Sequence, residues 1–140
     1  AEYSLLTDII QGLLTSPEFG VNYRDGLNQE WVIQGTDNLV LTIIMFVLDL
    51  GRGDTLQMGS GDIVGQGIII GEYNGTITLT DIPVNERTIV TTNNFCWIVF
   101  KTNLDRNTGR GFFFQITEGG SQACVSNPCN DVGTCREEGG

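Results

Sequence analysis

The chain has 140 residues, enough for one domain of ordinary size with a short appendage and too few for two full domains. A core at this length buries roughly two-thirds of the surface that the unfolded chain exposes, so neither metal nor disulfide is required for folding. Acidic residues number 17 and basic residues 7, a net charge of -10 that offers no positive face to a phosphate backbone; this excludes a nucleic-acid partner and favours neutral or basic ones. There is no histidine, which removes Ser-His-Asp and Cys-His catalysis and any His-ligated metal within the chain.

The chain opens on Ala1-Glu-Tyr-Ser4 without methionine or a secretory leader, which reads as a mature form or a fragment. Residues 1–11, with Leu5, Leu6, Ile9 and Ile10, read as a lead-in or an added edge strand. From residue 12 to 117 the pattern is all-β. Strands are expected at 29–34, 39–48, 54–58, 67–72, 76–80, 87–92, 95–101 and 111–116. Leu56 and Met58 share one face, as do Ile77 and Leu79, and as do Phe112, Phe114 and Ile116. Turn signals such as Arg24-Asp25-Gly26, Gly59-Ser60-Gly61-Asp62 and Tyr73-Asn74-Gly75 separate them. Many short strands with glycine-rich turns and no helical period mean a sandwich or barrel. The longest apolar run, Leu39 to Leu48, is half of what a membrane-crossing helix needs, so no transmembrane segment is expected in this chain. After Thr117 the composition shifts: 118–123 reads as a linker and 124–140 as a separate cysteine-bearing tail.

Several pieces occur in a telling order. They are Gly12-Leu-Leu-Thr-Ser-Pro17, Tyr23, Trp31-Val-Ile33, and the run with Leu41, Ile43, Met45 and Leu48-Asp49. Asp54-Thr-Leu-Gln-Met58, Asn94-Phe-Cys-Trp-Ile-Val-Phe100 and Gly111-Phe112 follow. Together they make residues 12–117 resemble a CUB domain. The resemblance implies a jelly-roll-like β-sandwich of about ten strands that binds proteins or glycans outside the cell and performs no chemistry. The tail, C-x4-C-x5-C with Pro128 before the second cysteine, is similar to the first half of an EGF-like module. Family connectivity would pair Cys124 with Cys135 and leave Cys129 without its mate. The CUB part lacks the family's two disulfides. Its one cysteine, Cys96, falls on the face of Ile98 and Phe100, either as a buried thiol or bridged to Cys129. The cysteines in the tail favour an oxidising, extracellular and secreted setting.

The resemblance also implies where calcium would bind. Tyr23 and Asp54 fall at the family's Tyr and Asp, but the Glu-bearing loop is shortened to 49–54, Asn103 replaces the second Asp, and Arg52 brings a positive charge. Asp54, Asn103 and Asp105 are the residual candidates for what reads as a vestigial site; no other cofactor is implied, since a calcium ion needs six to eight oxygens with several carboxylates. Arg52-Gly53-Asp54 is an RGD tripeptide, adhesive if displayed on a loop tip and coincidental if Asp54 only starts a strand. Asn74-Gly75-Thr76 is the sole N-x-[ST] sequon and sits at a turn.

In an antiparallel sandwich each strand should keep one wet face. Phe95, Trp97 and Val99 oppose the inward set on their strand, and Phe46 and Phe113 oppose theirs. These five form an apolar interface candidate unless residues 1–11 or a long loop cover them. Two functions follow. The first is a non-catalytic binding module of a secreted CUB/EGF mosaic protein, contacting protein or glycan; the parent could be a larger secreted protease. The second is a structural subunit of a coat, matrix or filament that self-associates through apolar faces. No nucleophile–base pair or catalytic metal set is present, so the chain is not expected to be an enzyme.

Overall fold

The computed structural model describes residues 2–7, 11–106 and 108–121. Ten strands follow one another: β1 (Glu2–Thr7), β2 (Gln11–Thr15), β3 (Asn28–Gln34), β4 (Leu39–Leu50), β5 (Thr55–Ser60), β6 (Ile68–Asn74), β7 (Ile77–Thr78), β8 (Thr88–Val90), β9 (Phe95–Lys101) and β10 (Gly111–Ser121). One sheet runs β1-β3-β9-β5-β6 and the other β2-β10-β4-β7, with β8 also paired to β4. All pairings are antiparallel except that of β1, which lies parallel to β3 with Glu2 opposite Gln29. The molecule is an all-β sandwich.

The two sheets meet over a single large core. Trp31, Ile33, Cys96, Ile98, Phe100, Leu56 and Met58 face it from one sheet; Leu41, Ile43, Met45, Leu48, Leu50, Phe112, Phe114 and Ile116 face it from the other. Edge-to-face rings cross the interface: Tyr23 on Phe100 at 5.0 Å, Trp31 on Phe112 at 5.6 Å, and Phe100 on Phe112 at 5.5 Å. Such pairs add about 0.5–1.5 kcal/mol each beyond the area they bury. Packing thus replaces the internal disulfides that the CUB resemblance implies.

Three expectations from the sequence need correction. Residues 76–80 do not form one strand. Only Ile77–Thr78 pairs with β4, and a 3-10 turn at Leu79–Asp81 follows. The Asp81 carboxylate accepts the Thr78 N–H (2.8 Å), which favours the turn over a longer ladder. Residues 118–121 are not linker. β10 continues to Ser121 against Leu39, and the Glu118 carboxylate accepts both the Thr36 N–H (2.6 Å) and the Thr36 hydroxyl (2.8 Å). The alternation of β4 also breaks. Phe113 pairs with Val47 and Phe114 with Met45, so Phe46 is the extra residue of a bulge. Past it the faces exchange, and Leu48 turns into the core, 1% exposed, while Phe46 stays 48% exposed.

Candidate functional site

The loops at one end of the sandwich gather the RGD tripeptide and the residues with calcium-ligand spacing. Asp54 begins β5 and is fully buried. Its Oδ2 accepts the Tyr23 hydroxyl proton and its Oδ1 accepts the Asn103 N–H (2.9 Å). The Tyr23 oxygen in turn accepts the Gly51 N–H (2.7 Å). Burial, and next the hydrogen bond to Asp54, raise the Tyr23 phenol well above its ordinary range. Asn103 spends its side chain locally: its amide donates to the Arg52 carbonyl (3.0 Å) and its Oδ1 accepts the Asp105 N–H (3.3 Å). The Asp105 carboxylate lies 3.3 Å from Arg52 Nε, and Asp49 lies 3.5 Å from Arg110 Nε.

The structure therefore brings Asp54, Asn103 and Asp105 to one end, but not as a cation cradle. One carboxylate is engaged at both oxygens by a hydroxyl and a backbone amide, one faces a guanidinium, and the side-chain oxygen of Asn103 already accepts a backbone N–H. Among the described residues no three acidic or thiol side chains come together as a metal set. The donor set does not fit calcium. The adhesive reading of Arg52, Gly53 and Asp54 is overturned by the same geometry: a carboxylate with no exposed surface cannot complete a receptor's metal shell.

The five apolar candidates separate onto opposite sheets. Trp97 has no exposed surface and Val99 is 8% exposed; with Val32 they form a second, smaller core on the outer side of the β1-β3-β9-β5-β6 sheet, against which Val64 and Phe95 pack. The cover is the 61–67 segment. Trp97 Nε1–H donates to the Gln66 carbonyl (2.7 Å), and Gly61 N–H donates to the Phe95 carbonyl (3.2 Å). Gly59 lets the indole lie flat, because a Cβ there would sit 2.1 Å from two ring carbons. Trp97 is thus an interior residue, and Val99 keeps only 8% of its surface; neither supplies the apolar docking face expected of it.

On the other sheet the picture differs. Phe113 lies edge-to-face between Phe46 (5.9 Å) and Phe19 (5.5 Å). Leu13 and Val21 are each 64% exposed, and Leu13 lies one ladder step from the Phe113 pair, opposite Gln115. The result is an open aromatic face at the β2, β10, β4 end. Phe19, Leu13 and Val21 have no periodic signal, since Phe19 sits in a turn where Glu18 takes a φ of 59°.

Cys96 is a free thiol with no exposure. Burial pushes it from 9.0 up to about 12. The folded state therefore holds its proton where the unfolded chain releases it. Stability from this group is complete below pH 9.0 and falls by about 1.4 kcal/mol per pH unit on the way to pH 12. Urea titrations of wild type and C96A should diverge between pH 9 and 10 and run parallel at pH 7; coincident slopes would show the thiol is not buried. Cys124, Cys129 and Cys135, and with them the EGF-like segment and the Cys124–Cys135 pairing, lie outside the described residues.

No protein-family model matches the sequence, nor does any curated protein. Solved structures do match in fold. The CUB1-EGF-CUB2 domains of rat MASP-1 superpose with a TM-score of 0.73 at 13% identity over 94% of this chain and 48% of that one. The MASP-1 CUB2 domain bound to Ca2+ gives 0.65 at 17% identity, covering 84% of this chain and 99% of that one. The full extracellular region of zebrafish Gpr126/Adgrg6 gives 0.60 at 20% identity over 81% and 14%. The chain spans about half the length of the rat fragment. The sandwich has the CUB fold. Among the described residues no helix is long and apolar enough to cross a membrane.

Proposed function

We propose that this chain is a non-catalytic protein-binding module of an extracellular mosaic protein, and that it docks a protein partner on the aromatic face of Phe19, Phe46 and Phe113. The exposed ring of Phe46, held edge-to-face on Phe113, which in turn meets Phe19, is the observation that carries this reading. Aromatic anchors of this kind dominate interface energetics when a partner buries them. The net charge of -10 selects a partner that is neutral or basic around an apolar centre, and it opposes stacking of identical copies. A tail with EGF-like cysteine spacing beyond a CUB-type sandwich matches the CUB-EGF order of the rat MASP-1 fragment, which supports the mosaic setting.

A photo-cross-linking residue placed at Phe46 tests this in the fluid or matrix of the source tissue. One discrete adduct is expected from Phe46 and none from Glu72, which lies on the opposite sheet. Equal labelling at both sites would sink the reading. An adduct of twice the chain's own mass, with sedimentation that depends on concentration, would assign the face to a second copy and so to the structural-subunit alternative. F46A is expected to change folding stability by less than about 1 kcal/mol, being half exposed. It should weaken the cross-linked partner by at least about tenfold.

A further inference from the structure

On the sheet opposite the aromatic face, Thr55, Gln57, Glu72, Val99 and Lys101 line a shallow groove of about 150 Å³, and Asn74 forms its lip. Asn74 is the last residue of β6 and pairs with Thr55, which pairs in turn with Lys101. The side chains of Asn74 and Thr76, the two reading positions of the sequon, are both exposed. The position between them cannot carry a side chain: a Cβ at Gly75 would lie 1.7 Å from the Gly51 carbonyl oxygen, and the Gly75 N–H donates to the Asp54 carbonyl (2.8 Å). Asn74 is thus an exposed residue that also lines the groove.

The lining is amphipathic. Val99 gives it an apolar residue, 8% exposed, the Gln57 amide is fixed by donation to Glu72 (2.8 Å), and Lys101 and Thr55 contribute donors. A pyranose ring with an N-acetyl substituent presents the matching chemistry, with an apolar ring face and polar edges. We propose that Asn74 carries an N-linked glycan and that its first N-acetylglucosamine lies in this groove. The amide Nδ2 forms a bond to C1 of the sugar, the C1–oxygen bond to a lipid-linked diphosphate donor breaks, and the lipid diphosphate and the amide proton leave. The occupant is the chain's own glycan and not a diffusing one, because the attachment atom stands at the lip.

This inference rests on the extracellular reading, since the donor is found in the secretory lumen. The test separates the two: an appended secretory leader sends the chain into the lumen of a eukaryotic host whatever its native address, and partner docking on the opposite sheet is not measured. The intact mass should rise by one glycan. N74Q and T76A should lose the whole increment, and T76S should keep it; the unmodified mass in the secreted wild type would overturn the site. Trimming the glycan to its first sugar should then slow amide exchange several-fold across Thr55–Gln57 and Val99–Lys101 relative to N74Q. Exchange equal to that of N74Q would overturn the groove while leaving the attachment.

Discussion

Asp54→Ala is expected to destabilise the sandwich by about 4 kcal/mol, through the loss of two hydrogen bonds to a fully buried side chain. The change removes the acceptor for the Tyr23 hydroxyl and for the Asn103 N–H. Tyr23→Phe removes one of the same two bonds and also the acceptor of the Gly51 N–H, so it should cost a comparable amount. The double substitution should cost clearly less than the sum of the singles, because both delete one shared bond. Urea unfolding followed by tryptophan fluorescence measures all three. Strict additivity would mean that Tyr23 and Asp54 do not act together. Calcium at about 1 mM, the range that extracellular modules bind, should leave the wild-type midpoint unchanged. A saturable rise would mean that the carboxylate exchanges its present donors for the ion.

The architecture could be read from local pattern. Period-two alternation in Leu56 and Met58, in Cys96, Ile98 and Phe100, and in Phe112, Phe114 and Ile116 points those side chains inward, and each is buried. Asp54 was legible as a strand-start residue because its neighbours fix where the strand begins. The open aromatic face was only half legible. Strict alternation groups Phe46 with Leu48, whereas the bulge at Phe46 inverts the parity between them. A bulge depends on how the partner strand fits, and nothing within the ten-residue run announces it. Glu118 looked like linker because glycines follow it; its partner is Thr36, 82 residues away in the chain. Burial of Trp97 was hidden for the same reason. A strand with apolar side chains on both faces shows that something must cover one of them, and a polar, glycine-rich segment such as 61–67 carries no mark of being the cover.

That cover makes Trp97 the position where a substitution should best separate fold from recognition. Trp97→Ala should destabilise the domain by about 4 kcal/mol, as large aromatic truncations in closed cores do. It empties the space between Gly59 and the 61–67 segment and leaves the Gln66 carbonyl without its 2.7 Å donor. Trp97→Phe keeps a ring in place but loses that bond and part of the volume, and should cost about 2 kcal/mol. In both variants amide exchange should accelerate first at Gly61 and Gln66, whose N–H groups donate to the Phe95 and Ile63 carbonyls, before it spreads to the main core. Partner docking on the far sheet should be unchanged in Trp97→Phe wherever the protein is folded, in contrast to F46A, which should dock weakly and fold normally. If Trp97→Phe abolished docking while leaving the urea midpoint and the 61–67 exchange rates at wild-type values, the indole would be a recognition residue, and the segment above it would have to open to expose it.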